Sequence, residues 1–273
     1  MGFRNQIIGL IRFSYPATEG FAVSRRSEEE LEALLYDPVR LDRRFAYLET
    51  ITLPSLAAQT DADFTCVILG GATLLPRYKG RLRDLAEKYA FLKPVFLERM
   101  GPLPSAKRSF RRALEEGSTH VTGFRLDDDD ALAVDYIART RDMADRLIGA
   151  GMAEGPTALG FSHALYWNLN DPKQPFHEFR ESQPAGQACA MITTSELETC
   201  IYRYNHRKLA CHIPTLLTPG DAPMFLRTLH GHNDSDRRIP PHAVAMPEKR
   251  GRRLMAERFG LDPDAAMTLM GAI

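Results

Sequence analysis

Residues 120–130 read His120-Val121-Thr122-Gly123-Phe124-Arg125-Leu126-Asp127-Asp128-Asp129-Asp130, a mostly apolar run that ends in four consecutive acids. A run of this length with polar flanks is typical of a buried strand. In open α/β sheets, ligands bind outside the carboxyl ends of the strands. The four aspartates therefore stand where such a sheet would hold a ligand.

Three further apolar runs precede this one and alternate with helical patterns. They cover residues 6–13, 64–69 and 94–97, and each is bounded by polar, glycine or proline residues. Alternation of strands and helices is typical of β-α-β units. We therefore predict an α/β protein with a mixed, mostly parallel sheet flanked by helices.

The helical patterns of the first half carry clear boundary signals. A capping box of Ser27 and Glu30 predicts the start of one helix. Apolar residues at helical spacing continue through 41–56, where Pro54 must kink or end the helix. A basic helix is predicted over 104–116, directly before the strand that leads to the aspartates.

The regular alternation stops after the aspartates. The sequence predicts a helix over 134–148, strands over 157–167 and 187–193, and a capping box at Ser195 and Glu198. Proline and glycine punctuate the polar stretch 172–186. Long irregular segments in a compact domain are often binding or lid loops, which is the role we expect here.

Composition limits the class of protein. Lys and Arg number 35, and Asp and Glu also number 35, so we expect no nucleic-acid partner. No stretch approaches the roughly 20 apolar residues of a transmembrane helix, which leaves at most a peripheral membrane contact. The N-terminus lacks the pattern of a cleavable signal, and the four cysteines lack a C-x-x-C pair. We therefore predict a cytoplasmic protein with reduced, structural thiols.

The four aspartates allow two interpretations. While the strand persists, Asp127 and Asp129 point one way and Asp128 and Asp130 the other. Clustered carboxylates repel one another, and Mg²⁺ or Mn²⁺ would compensate this repulsion and still coordinate a diphosphate. Alternatively, the acids cap the first turn of a helix that begins near Ala131. Four acids directly after an apolar strand favour the metal or nucleotide site.

The order of several segments resembles that of the GT-A glycosyltransferases, and most closely that of the bacterial rhamnosyltransferases. The resemblance rests on residues 12–15, 48–56, 59–64, the basic helix, 124–130 and 230–235. It implies a GT-A-like, Rossmann-like fold in one domain, 1–273. Within this domain it implies a nucleotide-sugar-binding half, 1–131, and an acceptor-binding half, 132–273.

The same resemblance implies an activity: transfer of a sugar, such as rhamnose, from a nucleoside-diphosphate sugar to a carbohydrate or glycan acceptor, assisted by Mn²⁺ or Mg²⁺. Asp127 and Asp129 match the Asp-x-Asp pair, with Asp128 and Asp130 as the alternate phase. Nucleotide contacts are implied for Arg12, Lys107, Arg108, Asp127 and Asp128. For the three basic residues, a solvated helix face or an ordinary surface arginine is an equal alternative.

Later segments of the chain supply the remaining candidates. Gly220-Asp221 resembles the acidic helix start that provides the base in inverting enzymes, although a simple helix N-cap explains Asp221 equally well. His230, slightly preferred over His232, matches a late metal-binding histidine. The acceptor residues are predicted to be Tyr166, Trp167, Asn168, His177 and Glu178. Trp167 is alternatively a core anchor.

Two other functions compete with this one. A nucleotidyltransferase on a similar fold would need a glycine-rich basic loop after the first strand, and Arg12-Phe13-Ser14-Tyr15-Pro16 lacks it. A non-catalytic metal- or carbohydrate-binding domain would hold Ca²⁺ at the acids, and the spacing fits no EF-hand.

Overall fold

Two β-sheets organise the computed structural model, which describes residues 2–19, 26–233 and 238–272. The strands are β1 Asn5–Arg12, β2 Thr65–Gly71, β3 Leu92–Leu97, β4 His120–Leu126, β5 Ala131–Leu132, β6 Thr157–Phe161, β7 His163–Asn168, β8 Phe176–Arg180, β9 Cys189–Thr194, β10 Thr215–Thr218, β11 Phe225–Leu229 and β12 Val244–Ala245. The first sheet has seven strands in the order β10-β6-β9-β4-β1-β2-β3. The second has five, in the order β12-β8-β7-β11-β5.

The predicted parallel core of the first sheet is confirmed. β3, β2, β1 and β4 pair in parallel, so that Arg12 and Leu126 reach the same edge. β9 then runs antiparallel to both β4 and β6, while β10 and β6 are parallel. The sheet is therefore mixed and mostly parallel, as the alternation of strands and helices predicts.

Helices cover this sheet and connect its strands. They are α1 Glu28–Leu35, α2 Pro38–Tyr47, α3 Leu53–Ala57, α4 Pro76–Lys88, α5 Pro102–Ala113, α6 Tyr136–Gly149, α7 Glu248–Phe259 and α8 Pro263–Ala272. The capping box of Ser27 and Glu30 opens α1 as predicted. Among the described residues, no helix is long and apolar enough to cross a membrane.

A π-helical turn, Leu48–Thr52, joins α2 to α3. Pro54 therefore does not end the helix: it lies in the first turn of α3, where a missing N–H is tolerated. Beyond the π turn, Ser55 Oγ accepts a hydrogen bond from Leu132 N (3.3 Å), and Gln59 Nε2 donates to Ala133 O (2.8 Å). The segment thus reaches from the first sheet to the chain that follows the aspartates.

The second half differs from its prediction in four places. The strand candidate 157–167 is broken at Ser162, so that β6 and β7 belong to different sheets. Part of the expected loop 172–186 forms β8. The capping box at Ser195 opens no helix, since Leu197 adopts a positive φ of 51° in a turn. The helix expected after Asp221 is also wrong, because the apolar residues there pair with β7 as β11.

Candidate active site

The four aspartates lie in a turn between the two sheets. β4 ends at Leu126, Asp130 N donates to Asp127 O (3.4 Å), and β5 follows directly. The alternation expected for a continuing strand is therefore lost. The capping alternative is also wrong, because the next helix begins only at Tyr136 after Asp135.

Two of the carboxylates are paired with an arginine of α2. Arg44 Nε donates to Asp128 Oδ2 (2.8 Å) and its Nη1 to Asp129 Oδ2 (2.9 Å). Arg44 Nη2 also contacts Asp128 Oδ1. Asp128 is fully buried and Asp129 nearly so, and Arg44 itself is only 8% exposed. A buried charge is tolerable only when it is paired in this way.

Asp129 has further partners from the segment after β11. Its Oδ2 accepts from Asn233 Nδ2 (3.2 Å) and lies 3.0 Å from His230 Nε2. Burial alone would raise the pKa of Asp129, but Arg44 and His230 outweigh burial and lower that pKa to about 2. Asp129 is therefore ionised at neutral pH.

The contacts of His230 define its tautomer. Nδ1 accepts a hydrogen bond from His232 N (3.2 Å), so it carries no proton. Nε2 faces a carboxylate oxygen and therefore donates. The ring stacks on Tyr47, with centroids 4.4 Å apart and an angle of 19° between the planes. Both ring nitrogens of His230 are thus engaged by neighbouring protein groups.

Asp130 is buried under different conditions. Its Oδ1 accepts a hydrogen bond from Thr228 N (2.8 Å) of β11. Burial, together with the charges of Asp129 and Asp127, raises the pKa of Asp130 well above its ordinary value. Asp130 therefore fastens the turn to the second sheet and resists ionisation.

Asp127 belongs to another environment, which is partly open to solvent. Burial opposes the charged forms of Arg125 and Arg227, yet the pKa of each is raised. Tyr202 and then Asp127 raise the pKa of Arg125, whereas Asp130, Tyr166 and then Asp127 raise the pKa of Arg227. Arg12 and Arg125 each place the guanidinium carbon 5.0 Å from the ring centroid of Tyr202. We call Arg12, Arg125 and Arg227 the arginine cluster; with Asp127, these side chains carry a net positive charge.

Two further observations mark the arginine cluster. Arg125 Nε is buried and has no hydrogen-bond partner among the described residues. His206 lies beside it: burial, then the charges of Arg125 and Arg227, lower the pKa of His206 to about 3. The imidazole is therefore neutral at pH 7. A buried, unpartnered guanidinium N–H suits an anionic ligand.

The other predicted residues lie apart from the aspartates. Lys107 Nζ donates to Glu198 O (2.7 Å), and Arg108 is an exposed residue of α5. Asp221 is exposed and follows Gly220, whose carbonyl accepts from His163 Nδ1 (3.0 Å). Within the described residues, no hydrogen bond or ion pair links these three side chains to the aspartates.

The predicted acceptor residues divide into two groups. Trp167 is fully buried and stacks on Phe176, so it is a core anchor and not a sugar platform. Glu178 bonds to His163 and Arg250. Tyr166 instead lies beside the arginine cluster, with Arg227 5.8 Å from its ring centroid. Its hydroxyl donates to Glu181 Oε1.

Sequence reasoning missed Arg44, Arg125, Arg227, Tyr202 and His206. Arg44 shares the apolar face of α2 with Leu41 and Phe45, and a charge on such a face requires a buried partner. Arg125 interrupts a buried strand in the same way. The sequence therefore contained signals that Arg44 and Arg125 have buried partners. It did not identify the partners of Arg44, because they are distant in sequence. Asp234 and Ser235 of the 230–235 segment lie outside the described residues.

Comparison with known protein families gives one match for this chain. Residues 6–242 match the family described as "Putative rhamnosyl transferase". No curated protein matches the sequence significantly.

Several solved structures show a distant similarity. S. aureus TarS 1-349 in complex with UDP is 13% identical, with a TM-score of 0.44, over 82% of this chain and 60% of TarS 1-349. Its complex with UDP-GlcNAc is 14% identical, with a TM-score of 0.44, over 92% and 71%. A Bacillus anthracis protein titled a putative glucose-1-phosphate thymidylyltransferase is 10% identical, with a TM-score of 0.36, over 82% and 87%.

Proposed function

The chain belongs to the putative rhamnosyl transferase family, and on that premise we propose that it transfers a sugar from a nucleoside diphosphate to the hydroxyl group of a carbohydrate or glycan acceptor. Rhamnose is the sugar that the family description names. Glycosyltransferase chemistry releases a nucleoside diphosphate, so the enzyme must stabilise the negative charge that develops on the leaving group. The free cysteines, three of them buried, suit a reducing compartment such as the cytoplasm.

The arginine cluster is the observation that supports this proposal best. Arg12 is the last residue of β1, and Arg125 is next to last in the parallel neighbour β4. Both therefore lie at the carboxyl edge, where open α/β sheets bind ligands. Guanidinium groups offer paired N–H donors with the geometry that phosphate oxygens require. We assign the donor diphosphate to this cluster, beside the ring of Tyr202.

A divalent metal at Asp127, Asp129 and His230 does not fit the observed contacts. Asp129 Oδ2 already has three partners, and His230 uses its Nδ1 lone pair for His232 N and its Nε2 proton for Asp129. Within residues 2–19, 26–233 and 238–272, no group of three or more His, Cys, Asp or Glu side chains is arranged to hold a metal ion. We therefore derive no catalytic step through a metal at these residues.

The acceptor hydroxyl must lose its proton, and a carboxylate is the expected base if the reaction inverts. Asp221 is the sequence candidate. Glu181 is the candidate from geometry, because its carboxylate accepts a hydrogen bond from Tyr166, whose ring centroid lies 5.8 Å from the Arg227 guanidinium carbon. Asp221→Asn and Glu181→Gln separate them: loss of the base lowers kcat by roughly 10²–10⁴-fold. If both variants keep the kcat of the wild type, neither residue is the base.

Thermal stabilisation by nucleoside diphosphates tests the donor site. A ligand that binds only the folded protein raises its melting temperature. We expect one member of a panel that differs in the base to stabilise the wild type, and Arg125→Gln to lose the effect. Arg146→Gln, on the exposed side of α6, is the matched control. If no nucleotide stabilises the wild type, the proposed function is wrong.

A further inference from the structure

Asp128 and Asp129 are two buried carboxylates that repel each other, and a side chain of the protein compensates their charge. Two adjacent carboxylates that are both removed from water require a cation within contact distance. Arg44 meets both, donating to Asp128 Oδ2 at 2.8 Å and to Asp129 Oδ2 at 2.9 Å. A guanidinium group is suited to this role because its donors are coplanar and point in fixed directions.

Arg44 is held in this position by the backbone around it. It lies in the last turn of α2, whose start is capped by Asp37 and which continues into the π turn. Tyr47, on the same helix, stacks on His230. Helix α2 thus supplies both the cation and a wall for the ring that binds Asp129.

The opposite side of the pair is closed by β11 and the segment after it. Thr228 Oγ1 donates to Asp129 O (2.5 Å), and Asn233 Nδ2 donates to Asp129 Oδ2 (3.2 Å). Asn233 Oδ1 also accepts from His230 N (2.6 Å). Two elements that are distant in sequence, α2 and the segment after β11, therefore converge on one carboxylate, whose Oδ2 has three protein partners.

We propose that Arg44 takes the place of a divalent cation at Asp128 and Asp129, as a built-in positioning residue that fixes the aspartate turn. The turn then presents Asp127 to the arginine cluster without a metal. This inference rests on the proposed function only where it names a nucleotide as the ligand. This role of Arg44 makes a prediction that a merely structural ion pair does not. If Arg44 replaces a cation, its removal must create affinity for a metal at Asp128 and Asp129.

Binding of Mn²⁺ to the full chain, measured by calorimetry without nucleotide, tests the proposal. We expect the wild type and Arg43→Gln, the neighbouring residue of α2, to bind no Mn²⁺ at micromolar concentrations. Arg44→Gln is expected to gain one site, and Arg44→Gln with Asp129→Asn to lose it again. A wild type that binds one Mn²⁺ and loses it in Asp129→Asn overturns the proposal. So does a folded Arg44→Gln variant that binds none.

Two further measurements cover the remaining outcomes. If Arg44→Gln does not fold alone, Mn²⁺ is expected to restore its cooperative thermal transition, and Arg44→Lys to fold without metal; failure of both refutes the proposal. Nucleotide stabilisation of the wild type should persist in EDTA. Stabilisation that requires Mn²⁺ overturns the role of Arg44 and leaves the proposed function standing. Absence of any nucleotide effect refutes the proposed function, while the Mn²⁺ titration still decides the role of Arg44.

Discussion

The two sides of the aspartate turn are built from the same residue type and have opposite properties. On one side, Asp128 and Asp129 are buried and bound by Arg44, His230 and Asn233. On the other side, Asp127 is partly exposed and lies among arginines that outnumber it. Neighbouring carboxylates in one run thus serve different purposes, because burial and partners, and not residue type, determine what an acid does.

The largest effect on stability is expected from removal of Arg44 on the buried side of the turn, which holds Asp128 and Asp129 and which we call the closed side; the side of Asp127 is the open side. Arg44→Met leaves two buried carboxylates without their partner, and we expect the free energy of unfolding to fall by about 3–5 kcal/mol. Urea denaturation measures this change. Arg146→Gln, whose side chain is 78% exposed, should stay within about 0.5 kcal/mol of the wild type. A loss below about 1 kcal/mol for Arg44→Met would show that the ion pairs of Arg44 with Asp128 and Asp129 contribute little to stability.

The pH dependence of stability tests the ion pairs of Asp129. The pKa of Asp129 is about 2 in the folded protein and close to 3.8 when unfolded, so its contribution is present above pH 4. It is lost as pH falls from 4 to 2, at about 1.4 kcal/mol per unit of pKa difference. Asp129→Asn should therefore flatten the acid limb of the stability curve. An acid limb as steep as that of the wild type would contradict the assigned ion pairs.

Asp130 should respond in the opposite direction. Its folded pKa is raised, so its contribution to stability is complete at low pH and is lost as pH rises through that pKa. Asp130→Asn keeps an oxygen that accepts from Thr228 N and removes the ionisation. We expect the variant to be at least as stable as the wild type at pH 7 by urea denaturation. A clear loss there would mean that the charged carboxylate stabilises the turn.

On the open side, loss of charge should affect binding and not folding. Asp127→Asn removes the charge that faces Arg125 and Arg227, and we expect kcat/KM to fall by about 10–100-fold, the scale of one charge-assisted contact, with a change in stability below about 1 kcal/mol. Steady-state kinetics and urea denaturation on one preparation give both quantities. The comparison between the two sides fails if the variant keeps full activity and unfolds more easily.

The smallest effect is expected for Lys107. Its ammonium bonds to the carbonyl of Glu198 and has no described contact with the turn. Lys107→Gln should change nucleotide affinity less than about threefold and stability by about 0.5 kcal/mol. A large loss of affinity would instead support the nucleotide contact that the resemblance implies.

Local sequence patterns predicted the first sheet well. Its four parallel strands, the capping box of α1 and helix α6 follow from apolar runs, caps and helical spacing. The second sheet was predicted less well. β11 follows Asp221 where a helix was expected, and β8 lies within an expected loop. Both strands depend on pairing with β7, and long-range pairing leaves little trace in local periodicity.

The sequence predicted where the aspartates lie in the fold but not which side chains contact them. The aspartates do lie at the carboxyl edge, and Asp129 and His230 do meet, 101 residues apart. The phase of the carboxylates was wrong because β4 ends at Leu126 and the turn abolishes alternation. Arg44 lies 84 residues before Asp128, so no spacing rule connects the two. Only the charge on an otherwise apolar helix face pointed to such a partner.

The π turn at Leu48–Thr52 acts as a one-residue insertion within a continuous helix. Deleting one residue there would rotate everything beyond it by about 100°. Either Arg44 would then lose the aspartates, or Gln59 would lose Ala133. The π turn thus sets the rotation between α2 and α3, so that Arg44 contacts the aspartates while Gln59 contacts the chain that follows them. Point substitutions within this turn should be tolerated far better than a deletion.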